Sequence, residues 1–96
     1  MEGHILSTYY PNQTPAGSSS GSAVGAALEL ANAAIGTETS GSIRGPVELS
    51  NVIGFKPSRG LIGTDWAIPI LSRQDVTGTL TGADRDAAYL SNRISC

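Results

Sequence analysis

Between Ser22 and about Ala33 the chain is apolar at almost every position: Ala23, Val24, Ala26, Ala27, Leu28, Leu30 and Ala31 leave Ser22, Glu29 and Asn32 as the polar residues. Those three fall on one narrow stripe at helical spacing, which predicts a helix buried over most of its circumference. Ala33 to Ile35 reads as a short buried strand ended by Gly36, and Thr37 to Ser42 as a polar, turn-forming stretch. Pro46 suits the first turn of a brief helix running to about Ser50, where a missing N–H breaks no hydrogen bond. Val52 to Phe55 reads as another strand, closed by Pro57 and Gly60. Leu61 to Ile70 is irregular, with Trp66 as a lid or packing residue, and Asp75 to Leu80 is extended. Thr81 to Asp84 starts a final helix, which carries Ala87, Ala88, Leu90 and Ile94 along one side. The opening, Met1 to Gly21, is a turn-rich loop. Helix and strand segments alternate, and that pattern predicts an α/β layered architecture.

Composition narrows the packing. Of 96 residues, 40% are hydrophobic but only 5% aromatic, so the core must be built from small aliphatic side chains, which suit close contact of helix on sheet. The net charge of −2 comes from scattered acids, and the six basic residues do not cluster, which argues against nucleic acid or an anionic membrane as partner. Cys96 is the only cysteine, so an intrachain disulfide or a multi-cysteine metal site is excluded. No apolar stretch approaches the roughly 20 residues needed to span a bilayer, and the first residues lack the pattern of a secretory signal. The expectation is a cytoplasmic protein without metal or cofactor.

Two glycine-flanked serine stretches carry the candidate chemistry: Gly17-Ser18-Ser19 before the apolar helix, and Thr39-Ser40-Gly41-Ser42-Ile43-Arg44 after the following strand. A serine hydroxyl is a poor nucleophile until a base takes its proton, and a tight glycine turn can aim backbone N–H groups at one point where an oxyanion would form. By themselves these stretches also read as a flexible linker followed by a turn.

The ordered string is more specific. Gly-Ser-Ser-Ser-Gly-Ser (17–22), an alanine-rich helix, Gly-Thr-Glu-Thr-Ser-Gly-Ser-Ile-Arg-Gly-Pro (36–46) and Gly-Phe-Lys-Pro-Ser (54–58) together resemble the amidase signature family over about residues 14 to 90. The resemblance implies an α/β fold with a mixed, mostly parallel central sheet flanked by helices. This chain would be a single partial domain of it, with 1–16 a variable opening and 17–90 the signature segment. It implies hydrolysis of a small-molecule amide by two serines and a lysine: Ser42 matches the nucleophile, and Ser18 matches a bridging serine that follows a cis peptide bond. The backbone N–H groups of Thr39, Ser40, Gly41 and Ser42 match the oxyanion hole.

The sequence departs from the family pattern at three places. Its one lysine, Lys56, follows the nucleophile and does not match the catalytic base, which belongs upstream of Ser18. The isolated chain is therefore expected to be a fragment without amidase turnover. Glu38 and Ser40 stand where the family commonly has Asp and Gly, as in a fungal branch that also carries Gly-Pro-Val-Glu-Leu-Ser-Asn (45–51). Ser40 is tolerable only if its φ suits a residue with a side chain. Arg44 and Glu38 read as support for the nucleophile turn, and His4, the only histidine, as a surface residue. Two alternatives stand beside this reading: a non-catalytic truncated remnant or interaction module, and the amidase subunit of a glutamyl-tRNA amidotransferase.

Overall fold

The fold, described for residues 3–96 in a computed structural model, is built around one strand that is buried at every position. In chain order the elements are α1 (Ser20–Ala27), β1 (Ala33–Glu38), α2 (Arg44–Ser50), β2 (Ile53–Phe55), β3 (Val76–Thr81) and α3 (Asp84–Ile94). The sheet order is β1-β3-β2, with β3 antiparallel to both neighbours. Glu38 lies opposite Val76 at one end of the first ladder and Ala33 opposite Thr81 at the other. Ile53 to Phe55 pair with Thr81 to Thr79 on the opposite side of β3.

Successive residues of a strand face opposite layers, and β3 uses this to hold helices on both sides. Leu80 packs with Ala23 of α1 and with Ile43 in the core, to which Ala34, Val47 and Val52 add partly buried surface. On the other face the Thr79 hydroxyl meets Ser91 Oγ of α3 at 2.9 Å. Thr77 donates to the carbonyl of Gly63 at 3.0 Å and Thr81 to that of Ala83 at 2.6 Å. A face of buried threonines is tolerable because each hydroxyl has a partner. The result is α1 and α2 on one side of the sheet and α3 on the other, the α/β layering that the alternation of elements predicts. Both ladders are antiparallel, so the mostly parallel sheet that the resemblance implies is not seen among the described residues.

Two expected elements differ in extent. The helix expected over 22–33 stops at Ala27, and only Ala23 and Ala26 are buried in it. Glu29 takes a positive φ of 56°, its N–H bonds to the carbonyl of Ala26, and that of Leu30 reaches back to Gly25. This is the Schellman closure usually built on glycine, and a glutamate in that place hides it from the sequence. Leu28 and Leu30 are consequently exposed rather than buried. The strand expected over 33–35 instead runs through Gly36 to Glu38, with Ile35 half exposed and Gly36 and Glu38 buried. Gly36 does not end it; a Cβ there would lie 2.6 Å from Ser19 Oγ and 2.8 Å from Leu80 Cδ1, so the strand needs glycine to let α1 approach.

Gly78, at the centre of β3, is confined more tightly still, because a Cβ would run into the carbonyl oxygen of Phe55 and come within 2.8 Å of Ile43 Cδ1. Gly78→Ala is expected to destabilise the fold by about 1–3 kcal/mol or more by prising β2 from β3. Gly82→Ala, where nothing lies within 4 Å, should leave the urea midpoint within error.

Candidate active site: the nucleophile turn and the serine loop beside it

Glu38 ends β1 with its side chain almost wholly enclosed, at 1% exposure. Its Oε2 accepts the backbone N–H groups of Ile43 (2.8 Å) and Arg44 (2.9 Å), and its Oε1 accepts Arg44 Nε at 2.6 Å. Burial pushes this carboxyl's pKa up, but the N–H donors of Arg44 and Ile43, the Arg44 side chain and the N–H of Gly41 outweigh it and hold the group below its ordinary value. Glu38 thus closes residues 39–42 into a tight turn, and Arg44, 70% exposed, covers it from outside. Gly41 carries the turn's positive φ, 98°, and the N–H of Gly45 donates to its carbonyl at 2.8 Å. Ser40 is not in the positive-φ region, so the residue that replaces the family's glycine does so without backbone strain. The N–H groups of Ser40 and Ser42 find no hydrogen-bond partner among the described residues.

The Gly17–Ser18 peptide bond is cis. Directly after it, the N–H of Ser19 donates to the carbonyl of Ser42 at 3.1 Å, so the backbone next to Ser18 lies against the backbone of Ser42. Ser18 is exposed and Ser42 half-buried. Ser19, to which the sequence assigned no role, ties this loop down. Its Oγ lies 3.2 Å from both the N–H and the carbonyl of Thr37, accepting from the first and donating to the second, while Ser22 donates to the carbonyl of Ile35 at 2.8 Å. These hydroxyls occupy the outer edge of β1. The one sequence signal for such an approach is Gly36, where a strand lacks the side chain that would block it.

Asp75 is the second residue missed. Its Oδ1 accepts the Thr39 hydroxyl at 2.6 Å, and its carboxylate accepts the N–H groups of Ile70 (2.9 Å) and Leu71 (3.0 Å). The Thr39 hydroxyl, the largest influence, outweighs the opposing effect of desolvation with help from the Ile70 and Leu71 amides and holds the carboxyl below its ordinary value. Its sequence neighbours contain no motif that sets it apart from a solvent-exposed loop acid.

The other residues weighed from sequence lie elsewhere. Lys56 is exposed and leaves β2 on the opposite side of β3 from β1, two strand spacings or roughly 10 Å away. His4 is exposed in the irregular opening. Trp66 is fully exposed, so it is not a packing residue among the described residues. It borders a hollow with Ile35, Ile62 and Ile94, whereas Phe55 borders a separate one with Ile53 and Ala87. No helix of the described residues is long and apolar enough to cross a membrane.

A predicted amidase of Arthroderma benhamiae is 49% identical over 93 residues, covering 97% of this chain and 16% of that protein. A glutamyl-tRNA(Gln) amidotransferase subunit of Salinibacter ruber is 37% identical over 93 residues, with 97% and 18% covered. Among solved structures, the peptide amidase of Stenotrophomonas maltophilia superposes with a TM-score of 0.90 at 41% identity, over 95% of this chain and 19% of its own. The chain therefore spans under a fifth of the length of each of these proteins. Residues 3–96 match the profile of the family described as Amidase, and the chain belongs to that family, the amidase signature proteins.

Proposed function

We propose that this segment carries the nucleophile of an enzyme that hydrolyses carboxylic amides, with Ser42 attacking and Ser18 relaying its proton. The observation that carries the reading is the bond from Ser19 N–H to the Ser42 carbonyl, which brings the cis Gly17–Ser18 peptide alongside the nucleophile turn. Attack forms a bond from Ser42 Oγ to the amide carbon. The Ser42 proton passes to Ser18 Oγ as the Ser18 proton passes to a neutral lysine, and the carbonyl electron pair moves onto oxygen. Of the N–H groups of residues 39–42, those of Ser40 and Ser42 have no partner among the described residues and are free to donate to that oxyanion. Collapse breaks the C–N bond, the departing nitrogen takes a proton back along the same relay, and water releases the carboxylic acid from the acyl-serine.

The lysine must come from outside these residues, since Lys56 is exposed on the far strand. Burial there would keep it neutral enough to act as base. The proposal includes a small-molecule amide substrate, no metal or cofactor, and a cytoplasmic setting. A second reading, transfer of amide nitrogen, is favoured by the 37% identity to an amidotransferase subunit over the same length of chain; the 49% identity to an amidase puts hydrolysis first.

The test is to quench the longer protein carrying this segment during turnover of an amide or ester and to map the acyl adduct by mass spectrometry. Acylation of the peptide containing Ser42 is expected. Turnover with the acyl group on another residue, or with none, would end the reading, and nitrogen leaving only when an acceptor is supplied would favour the second one.

A further inference from the structure

Two carboxylates hold the nucleophile turn, and only one has a role so far. Glu38 grips its far end through Ile43 and Arg44. At the near end the β1–β3 ladder stops with Glu38 opposite Val76. The next residues on the two strands, Thr39 and Asp75, are joined side chain to side chain at 2.6 Å. The same carboxylate takes the N–H groups of Ile70 and Leu71, so it cannot swing away from Thr39 without abandoning both. Three donors on one carboxylate make a charge-assisted clamp, and the lowered pKa of Asp75 agrees with a carboxylate that stays ionised at neutral pH.

We propose that Asp75 is a positioning residue for the nucleophile turn: by fixing the Thr39 hydroxyl to the Ile70–Leu71 backbone it sets the direction of the peptide that follows Thr39, and with it the aim of the N–H groups toward the oxyanion. Glu38 takes only Ile43 and Arg44, so among the described residues the one side-chain hydrogen bond made by Thr39, at the start of the turn, is to Asp75. The inference rests on the proposed role of Ser42. It differs from that role in acting through Thr39 rather than on substrate.

The experiment uses the longer active protein. Thr39→Val keeps shape and removes the hydroxyl, Thr39→Ser restores it, and Asp75→Asn keeps one acceptor while setting an NH2 against the Ile70 and Leu71 amides. An interaction made only in the transition state lowers kcat and leaves KM alone, and losing a whole oxyanion donor lowers kcat by about 10²–10³. A misaimed donor should therefore lower kcat by about tenfold or more in both Thr39→Val and Asp75→Asn, with KM within about twofold and Thr39→Ser near the parent. Parent-like kcat in Thr39→Val, or Thr39→Ser as slow as Thr39→Val, would overturn the inference. Ser42→Ala run in parallel separates the two failures: an active Ser42→Ala protein refutes the nucleophile, whereas an inactive one beside a fully active Thr39→Val refutes only the clamp.

Discussion

Ser42→Ala in the longer protein is expected to lower amide turnover by about 10⁴-fold or more, since removing the nucleophile of a serine hydrolase costs rates of that order and leaves only binding and oxyanion stabilisation. Ser42 is half-buried at a turn held by its neighbours, so the thermal midpoint should hardly move. Ser18→Ala should lower kcat by about 10²–10⁴, the range of a lost proton-transfer group. The adjacent serine behaves differently. Ser19 Oγ is bonded to both polar groups of Thr37, so Ser19→Ala strips the β1 edge of its partner and is expected to cost stability, with activity falling only as the fold loosens. Assays of kcat alongside urea melts distinguish the three; a Ser42→Ala protein with even a tenth of parental turnover would refute the assignment, given the expected scale.

The second large effect belongs to Glu38. Replacing it by alanine leaves the N–H groups of Ile43 and Arg44 without their acceptor, while the Arg44 side chain, 70% exposed, is solvated; a donor left unsatisfied costs about 1–3 kcal/mol. Glu38→Ala is thus expected to lose stability on that scale and turnover with it. Glu38→Gln keeps an acceptor and should lose less. The sign of the pH dependence follows from the lowered pKa. The folded protein holds this carboxylate ionised more tightly than the unfolded chain does. Its contribution is complete above the ordinary value of 4.5 and disappears as pH falls through the lower folded value. Urea midpoints measured from neutral to acid pH should fall for the parent and fall less for Glu38→Gln; equal slopes would rule out Glu38 as the group responsible.

The elements legible in the sequence were those governed by local rules. The second helix carries Pro46 in its first turn, and the last begins with Asp84 and Asp86 and ends with Arg93, charges that suit the dipole at each end. Strands β2 and β3 lie within a residue of their expected bounds. The first helix was overextended because its apolar run continues to Ala31 while the chain turns at Glu29, a residue that rarely takes a positive φ. Its exposed Leu28 and Leu30 then show that an apolar stretch reports what must be covered, not what covers it.

The candidate site divides along the same line. Residue types and spacing marked the two serine stretches, because glycine beside serine is a local requirement of a tight turn and is written in consecutive letters. What brought the stretches together is a bond between residues 23 positions apart, Ser19 to Ser42. It exists because Gly36 and Gly78 let α1 and the turn sit close on β1 and β3. Asp75 acquires its place only when β3 lies beside β1 and sets it opposite Thr39. Identity of side chains and local backbone preference are properties of short segments, and the sequence alone determined these. Which acid meets which hydroxyl depends on strand register and helix packing, which are set by burial summed over the whole chain, and so only the tertiary structure decided it.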